Sequence, residues 1–132
     1  MNTRIWNDTE LFPNKVNFID SNNVILGYDL YQNCCEDAFW TISENKDGSD
    51  PIYGSGKFEG EEIALWSYVF DPDFYERDDD ESREQYVAIF KLVDWTIAKK
   101  RPDLYIRLEN HHNGYYSHGF TFSGKNAVDD AL

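Results

Sequence analysis

The sequence lacks the features that anchor, cross-link or target a protein. No apolar run approaches the roughly 20 residues that a membrane-spanning helix needs, and Met1–Asn7 shows no basic and apolar leader pattern. Only two cysteines are present, Cys34 and Cys35, and a disulfide between adjacent cysteines is strained. We therefore expect a cytoplasmic protein whose thiols stay reduced and unbonded.

Basic residues are also scarce. Twelve Lys and Arg stand against 25 Asp and Glu, so that the formal net charge is −13. This balance argues against direct contact with nucleic acid or with an anionic membrane, because both need basic side chains. It favours a basic protein partner that is reached by electrostatic steering. The alternative is that the acidity serves solubility alone.

Aromatic residues, in contrast, are abundant. They make up 17% of the 132 residues, and each removes about 150–250 Å² from water when it is buried. A chain of this length can therefore build a core without a metal or a disulfide. No internal repeat or low-complexity linker divides it, so we expect residues 1–132 to form one domain, with 1–15 and 124–132 loosely ordered.

Short β-prone runs separated by turn residues predict a mainly antiparallel β fold, with an α+β fold as the alternative. The runs Val16–Asp20 and Val24–Leu30 predict a first hairpin, joined by the turn cluster Ser21–Asn23. At most one or two short helices are expected, near Ile63–Phe70 or Asp73–Glu84. Four further strands are predicted at Ala38–Ser43, Tyr86–Trp95, Leu104–Asn110 and Tyr115–Phe122.

Asn113-Gly114 lies between two alternating segments and predicts a two-residue hairpin turn. In that register Glu109 faces His118, and side-chain alternation places Glu109, His111 and His118 on one face of the sheet. Two imidazoles and a carboxylate could chelate a divalent metal. We favour a plain ion pair between Glu109 and His118, because a metal needs three ligands in register, and we predict no cofactor.

The adjacent thiols of Cys34 and Cys35 are poorly placed to share a zinc ion, whose thiolate ligands are usually two to four residues apart. A nucleophilic cysteine would need a base such as His112 or His118 beside it, and no spacing in the sequence requires that proximity. Free cysteines are most often small buried apolar groups. With no complete catalytic set, we do not expect an enzyme.

Two motifs together carry a resemblance. Asn33-Cys34-Cys35-Glu36, followed late in the chain by Asn113-Gly114-Tyr115-Tyr116-Ser117, resembles an uncharacterised family of small bacterial and phage domains of unknown function. In those domains a Cys-Cys-Glu segment precedes a Ser-Asn-Gly-Tyr-Tyr-Ser-Glu hairpin. The likeness covers mainly Val24–Ile42 and Tyr105–Phe122, and it departs at His112 and His118, where the family has Ser and Glu. It implies a β-rich fold and a bacterial or phage origin, and it implies no activity.

Three classes of function remain. We favour a small acidic binding or inhibitor protein that acts on a basic, nucleic-acid-binding partner, such as a phage inhibitor of host defence (for example an anti-CRISPR) or a toxin immunity protein. The alternatives are a metal-binding protein or enzyme that uses Glu109, His111 and His118, and a domain with only a structural or assembly role. The stretch Asp71–Glu84 is either a solvated loop or the contact surface. The predicted contact residues are Phe70, Phe74, Tyr75, Asp78, Asp79, Asp80 and Glu81.

Overall fold

Short runs that alternate apolar and polar residues fold as strands, because each strand can then bury one face and expose the other. The computed structural model describes residues 2–7, 15–30, 37–54, 65–96, 101–112 and 118–132, with residues 2–7 and Trp66 described by their backbone alone. Within these ranges the chain is mainly β, as predicted, and its helical content is a single 3-10 turn at Glu81–Arg83.

The described residues form two antiparallel sheets. The strands in the described part of the chain are β1 (Asn2–Asn7), β2 (Lys15–Ile19), β3 (Ile25–Asp29), β4 (Asp37–Ser43), β5 (Tyr53–Gly54), β6 (Leu65–Trp66), β7 (Tyr68–Phe70), β8 (Glu76–Arg77), β9 (Gln85–Asp94), β10 (Leu104–His111), β11 (Gly119–Phe122) and β12 (Val128–Ala131). The first sheet has the strand order β12-β11-β3-β2-β1-β6, and the second has the order β5-β4-β10-β9-β7. Strand β8 also pairs with β9, next to the stretch of β9 that pairs with β7.

The two sheets pack against each other through an aromatic core. Phe18 of the first sheet meets Trp40 of the second edge to face, with 5.1 Å between ring centroids. Phe90 of the second sheet lies 4.7 Å from Phe122 and 5.9 Å from Phe120, both in the first. These rings are almost fully buried, and each such side chain contributes about 1.5–3 kcal/mol relative to an exposed one. Many of the chain's aromatic residues therefore serve the core.

The first predicted hairpin is confirmed, since β2 and β3 pair along Lys15–Ile19 and Ile25–Asp29. Its turn is organised by Asp20, which is 0% exposed. One carboxylate oxygen of Asp20 accepts the N–H groups of Asn22 and Val24, each at 2.9 Å. The other accepts the Phe70 N–H of β7 at 2.9 Å. This carboxylate therefore joins the turn of the first sheet to a strand of the second.

The hairpin predicted around Asn113-Gly114 is wrong in its strand pairing. Strand β10 lies between β4 and β9 in the second sheet, where Glu109 pairs with Phe39 and Val87 rather than with His118. Strand β11 pairs with β3 and β12 in the first sheet. Because both sides of β10 already have partners, it offers no edge to a returning strand. The chain thus passes from one sheet to the other between His112 and His118, and residues 113–117 lie outside the described residues.

Segments from both ends of the chain, which the sequence predicts to be loosely ordered, pair into the first sheet. Strand β1 pairs with β2 on one side and with β6 on the other. At the other end, β12 pairs with β11 at the edge of the first sheet. Val128 packs against the core and Leu132 is buried, so this polar segment is held by two apolar side chains. Residues 1 and 8–14 are not among those described.

Candidate binding surface

The acidic residues predicted to form a contact surface lie on a hydrogen-bonded turn. Strand β8 pairs with β9, with Arg77 opposite Ala88, and Asp78–Glu84 joins them; we call this segment the acidic turn. The Asp78 N–H donates to the Val87 carbonyl at 3.0 Å, and Asp80 and Gln85 exchange backbone hydrogen bonds of 2.8 and 3.0 Å. The carboxylates of this turn are therefore presented by a hairpin rather than by an untethered loop.

Arg77 connects the acidic turn to the other sheet. Its guanidinium lies 3.0 Å from Asp79 Oδ2, and it also reaches Asp130 Oδ2 at 3.3 Å and the Ala131 carbonyl at 3.2 Å. Asp79 in turn accepts the Val87 N–H at 2.8 Å. Asp79 is thus partly a structural residue, and Arg77 holds the acidic turn beside the edge strand β12.

Arg107 organises the same surface from beneath. It is only 7% exposed, and its Nη1 donates to the Lys46 carbonyl at 2.8 Å and lies 3.5 Å from Asp78 Oδ2. The loop 44–50 covers it so closely that a Cβ on Gly48 would lie 2.7 Å from Arg107 Cδ. Gly48 also has φ +82°, a conformation that side chains resist. Arg107 therefore brings the loop 44–50 and the acidic turn together.

A cleft of about 180 Å³ separates this loop from β8, and Ile89 is among its lining residues. Lys46 Nζ crosses it to Glu76 Oε2 at 2.9 Å, and this contact raises the pKa of Lys46. The Ser49 N–H lowers the pKa of Asp47 on the loop. The Ser82 hydroxyl likewise lowers the pKa of Asp80 on the acidic turn. These donors stabilise the charged form of both carboxylates.

Together these elements gather many carboxylates around Arg77 and Arg107. Three basic side chains lie against the acidic turn, since Arg77, Arg83 and Arg107 are within 4 Å of Asp79, Asp80 and Asp78, respectively. Carboxylates still outnumber cations there, and Asp78 remains 64% exposed. We define the acidic surface by its carboxylates, which are Asp47, Glu76, Asp78, Asp79, Asp80, Glu81, Glu84 and Asp130.

The predicted aromatic anchors are mostly engaged in the fold. Phe70 is 2% exposed and packs on Phe122, so it does not offer its ring to a partner, and its predicted contact role is corrected. It faces inward because β7 lies against the core. Tyr75 is half-buried and stacks on Phe90. Phe74 is also half-buried, because its ring contacts the Tyr105 ring edge to face and the Lys91 ammonium lies over it.

The predicted metal ligands are not brought together. Glu109 Oε1 and His111 Nε2 lie 3.8 Å apart on the outer face of the second sheet, the shared face expected from alternation. His118 lies in the other sheet, buried, with Nδ1 2.6 Å from the Asp29 carbonyl. The described residues contain no group of three or more potential ligands that could hold a metal. Cys34 and Cys35 lie outside the described residues.

Several residues of this surface were not predicted from the sequence. Asp130 belongs to the segment 124–132, which the sequence predicts to be loosely ordered, and its place on the surface depends on the pairing of β12. Arg77 carries no local signal for its contact with Asp130, because the two residues are 53 positions apart along the chain. For Arg107 the sequence does hold a signal of a structural role, because a charged residue in the middle of an apolar strand can be buried only beside a partner.

Comparison of the chain with protein-family models, with curated proteins and with solved structures finds no match. No helix in the described part of the chain is long and apolar enough to cross a membrane. The case for a function therefore rests on the surface itself.

Proposed function

We propose that this chain is a small acidic binding protein that inhibits a basic protein partner, one whose positively charged groove normally holds nucleic acid. The observation that carries the proposal is the excess of exposed carboxylates on the acidic surface, built from both sheets. A toxin immunity protein and a phage-encoded inhibitor of a host defence nuclease are the two settings that fit, both in the bacterial cytoplasm.

The way in which the carboxylates are held supports this proposal. Arg77, Ser82 and the Val87 N–H fix Asp79 and Asp80 by hydrogen bonds within the free protein. Groups that are already ordered lose less conformational entropy when they bind. Exposed charges such as Asp78 mainly raise the rate of association with a basic partner, and this effect weakens as salt rises.

The test compares two triple variants that each remove three negative charges. The surface variant carries Asp78→Asn, Glu81→Gln and Glu84→Gln, which lie on the acidic turn and are all exposed. Asp79 and Asp80 are left intact because they hold backbone N–H groups or neighbouring hydroxyls of the turn. The control variant carries the same number of changes at exposed positions outside the acidic surface, Asp29→Asn, Asp37→Asn and Asp129→Asn.

Each protein is immobilised and used to capture proteins from a bacterial lysate. We expect the wild type and the control variant to retain the same basic nucleic-acid-binding protein, and the surface variant to lose most of it. Added duplex DNA and raised salt should release the captured protein. Equal capture by the surface variant, or a captured protein with no basic nucleic-acid site, would overturn the proposal.

A further inference from the structure

The cleft between the loop 44–50 and β8 already holds a cation that the chain itself supplies. We call it the lysine cleft, and its volume is about 180 Å³. The Lys46 ammonium spans it, with Nζ 2.9 Å from Glu76 Oε2. The residues that line it are Lys46, Asp47, Glu76, Arg77, Asp78 and Ile89. One side chain with a positive terminal group is therefore seated among three carboxylates in the free protein.

Strand pairing places this cleft on the outer face of the second sheet. Glu76 pairs with Ile89, and Ile89 pairs with Arg107, so that these three side chains lie side by side on that face. Asp78 follows Glu76 by two residues, which returns it to the same face, and its Oδ2 lies 3.5 Å from Arg107 Nη1. The carboxylates of Glu76 and Asp78 therefore border one opening.

The charge of Arg77 is directed away from this opening. Arg77 pairs with Ala88, which is buried between the sheets, so its side chain leaves β8 on the inner face. Its guanidinium contacts Asp79 and Asp130 there. Lys46 is consequently the lining residue that offsets the carboxylates of the cleft.

Lys46 holds its place weakly. The side chains of Lys46 and Glu76 are 51% and 43% exposed, and ion pairs that are so exposed add little stability because water screens them. Ile89 forms an apolar floor, against which the aliphatic stem of a long basic side chain can pack. A second cation that reaches Asp78 as well as Glu76 can therefore displace the Lys46 ammonium.

We propose that the lysine cleft receives an arginine side chain of the basic partner, which takes the place of the Lys46 ammonium against Glu76. This inference rests on the proposed function and deepens it, because it names the side chain that the acidic surface takes up and the residue that competes with it. Arginine suits the cleft better than lysine does, since its planar guanidinium presents five N–H donors and can bind more than one carboxylate. Lys46 is thus an internal competitor that lowers the affinity for the partner.

Two peptides with blocked ends probe the cleft, tri-arginine and tri-citrulline, which have nearly the same shape and differ in charge. Each is titrated into the protein with ¹³C-labelled isoleucine methyl groups and followed by NMR. The Ile89 methyl reports on the floor of the cleft, and the Ile25 methyl, which is exposed on the first sheet, serves as the control. We expect tri-arginine to shift the Ile89 resonance and not that of Ile25, and tri-citrulline to shift neither.

A pair of matched variants tests the competition. Lys46→Met removes the ammonium and keeps an unbranched side chain, so it should bind tri-arginine about threefold more tightly than the wild type. Lys125→Met removes one positive charge at an exposed position outside the cleft and should leave the affinity nearly unchanged. Both sites are exposed, so neither change should disturb folding.

A second matched pair tests the carboxylates. The cleft variant, Asp47→Asn with Glu76→Gln, should weaken tri-arginine binding about fivefold, because it removes two charges that face the cation. Asp37→Asn with Asp129→Asn removes the same charge elsewhere and should have little effect. If Lys46→Met binds no more tightly than Lys125→Met, or if tri-arginine binds without moving the Ile89 methyl, the cleft proposal is overturned.

Capture of the partner from lysate separates this inference from the proposed function. We expect the cleft variant to lose most of the partner, as the surface variant does. If the surface variant loses the partner and the cleft variant retains it, the cleft proposal is overturned and the proposed function stands. If the surface variant retains the partner, the proposed function fails, whatever the cleft variant does.

Discussion

Removal of the buried carboxylate of Asp20 should destabilise the whole domain. Asp20→Ala leaves three backbone N–H groups, those of Asn22, Val24 and Phe70, without their acceptor. The Phe70 N–H is buried between the sheets, and an unsatisfied buried group costs about 1–3 kcal/mol. The two N–H groups of the turn can reach water, so each costs about 1 kcal/mol. We expect a total loss of about 3–5 kcal/mol.

The side chain of Asn provides a graded comparison. Asp20→Asn keeps one acceptor oxygen, but its amide nitrogen then faces an N–H group, because both carboxylate oxygens accept hydrogen bonds in the native protein. It should lose about 1–3 kcal/mol, less than Asp20→Ala. Asp73→Ala, at an exposed carboxylate, should stay within about 0.5 kcal/mol of the wild type.

Urea denaturation, followed by tryptophan fluorescence, measures these differences. Domains of this size are stable by about 5–15 kcal/mol, so the Asp20→Ala midpoint should fall markedly with an unchanged slope. A loss below about 1 kcal/mol for Asp20→Ala would refute the view that this carboxylate joins the two sheets.

Two other perturbations follow from the structure and a third from the sequence. The Thr96 N–H, followed by other donors, holds the pKa of Asp94 below its ordinary value of 3.8. The stability that Asp94 contributes is therefore present above that value and is lost as the pH falls through the lower folded pKa, so Asp94→Asn should flatten the acid limb of a plot of unfolding free energy against pH. Gly48→Val should cost about 1–3 kcal/mol in urea unfolding because of its positive φ and Arg107, whereas Gly119→Ala, in open space, should cost less than about 1 kcal/mol. Cys34→Ser and Cys35→Ser should each lower the melting temperature, and reduction should leave the intact mass unchanged; a shift of two hydrogens would contradict the expectation of free thiols.

Local sequence patterns predicted the elements well. The runs at Val16–Asp20, Ala38–Ser43 and Tyr86–Trp95 correspond to β2, β4 and β9 within one or two residues at each end. Each run alternates or carries β-branched and aromatic residues, and one turn cluster, Ser21–Asn23, joins true neighbours. These are signals that a few consecutive residues can carry.

Strand pairing was the part that local signals could not supply. An Asn-Gly pair predicts a tight turn only if the flanking strands are adjacent, and β10 is already paired on both sides by β4 and β9. The position of His118 followed from that assumption, so the predicted ion pair of Glu109 with His118 is wrong, and the alternative of a metal site at the same residues fails with it. The polar segments that became β1 and β12 also lacked a local signal, because their order comes from distant partners.

The sequence predicted the negative charge of the candidate surface but not which segments of the chain form it. The run Asp78–Glu81 is visible in the sequence, whereas its neighbours Asp47 and Asp130 come from loops and strands that are remote along the chain. Buried Arg107 and half-buried Arg77 draw these segments together. No spacing in the sequence predicts these arginine–carboxylate contacts, since they depend on which strands and loops lie side by side in the fold.

The placement of the basic residues explains how the chain can hold so much negative charge in one region. Mutual repulsion among carboxylates opposes a compact state. Arg107 counters it from a buried position 3.5 Å from Asp78, although solvent around the exposed Asp78 carboxylate screens part of this attraction. Arg77 does the same at the junction between β8 and β12. Because these two guanidinium groups lie beneath the acidic surface, they stabilise it from inside while the outer carboxylates stay open to a basic partner.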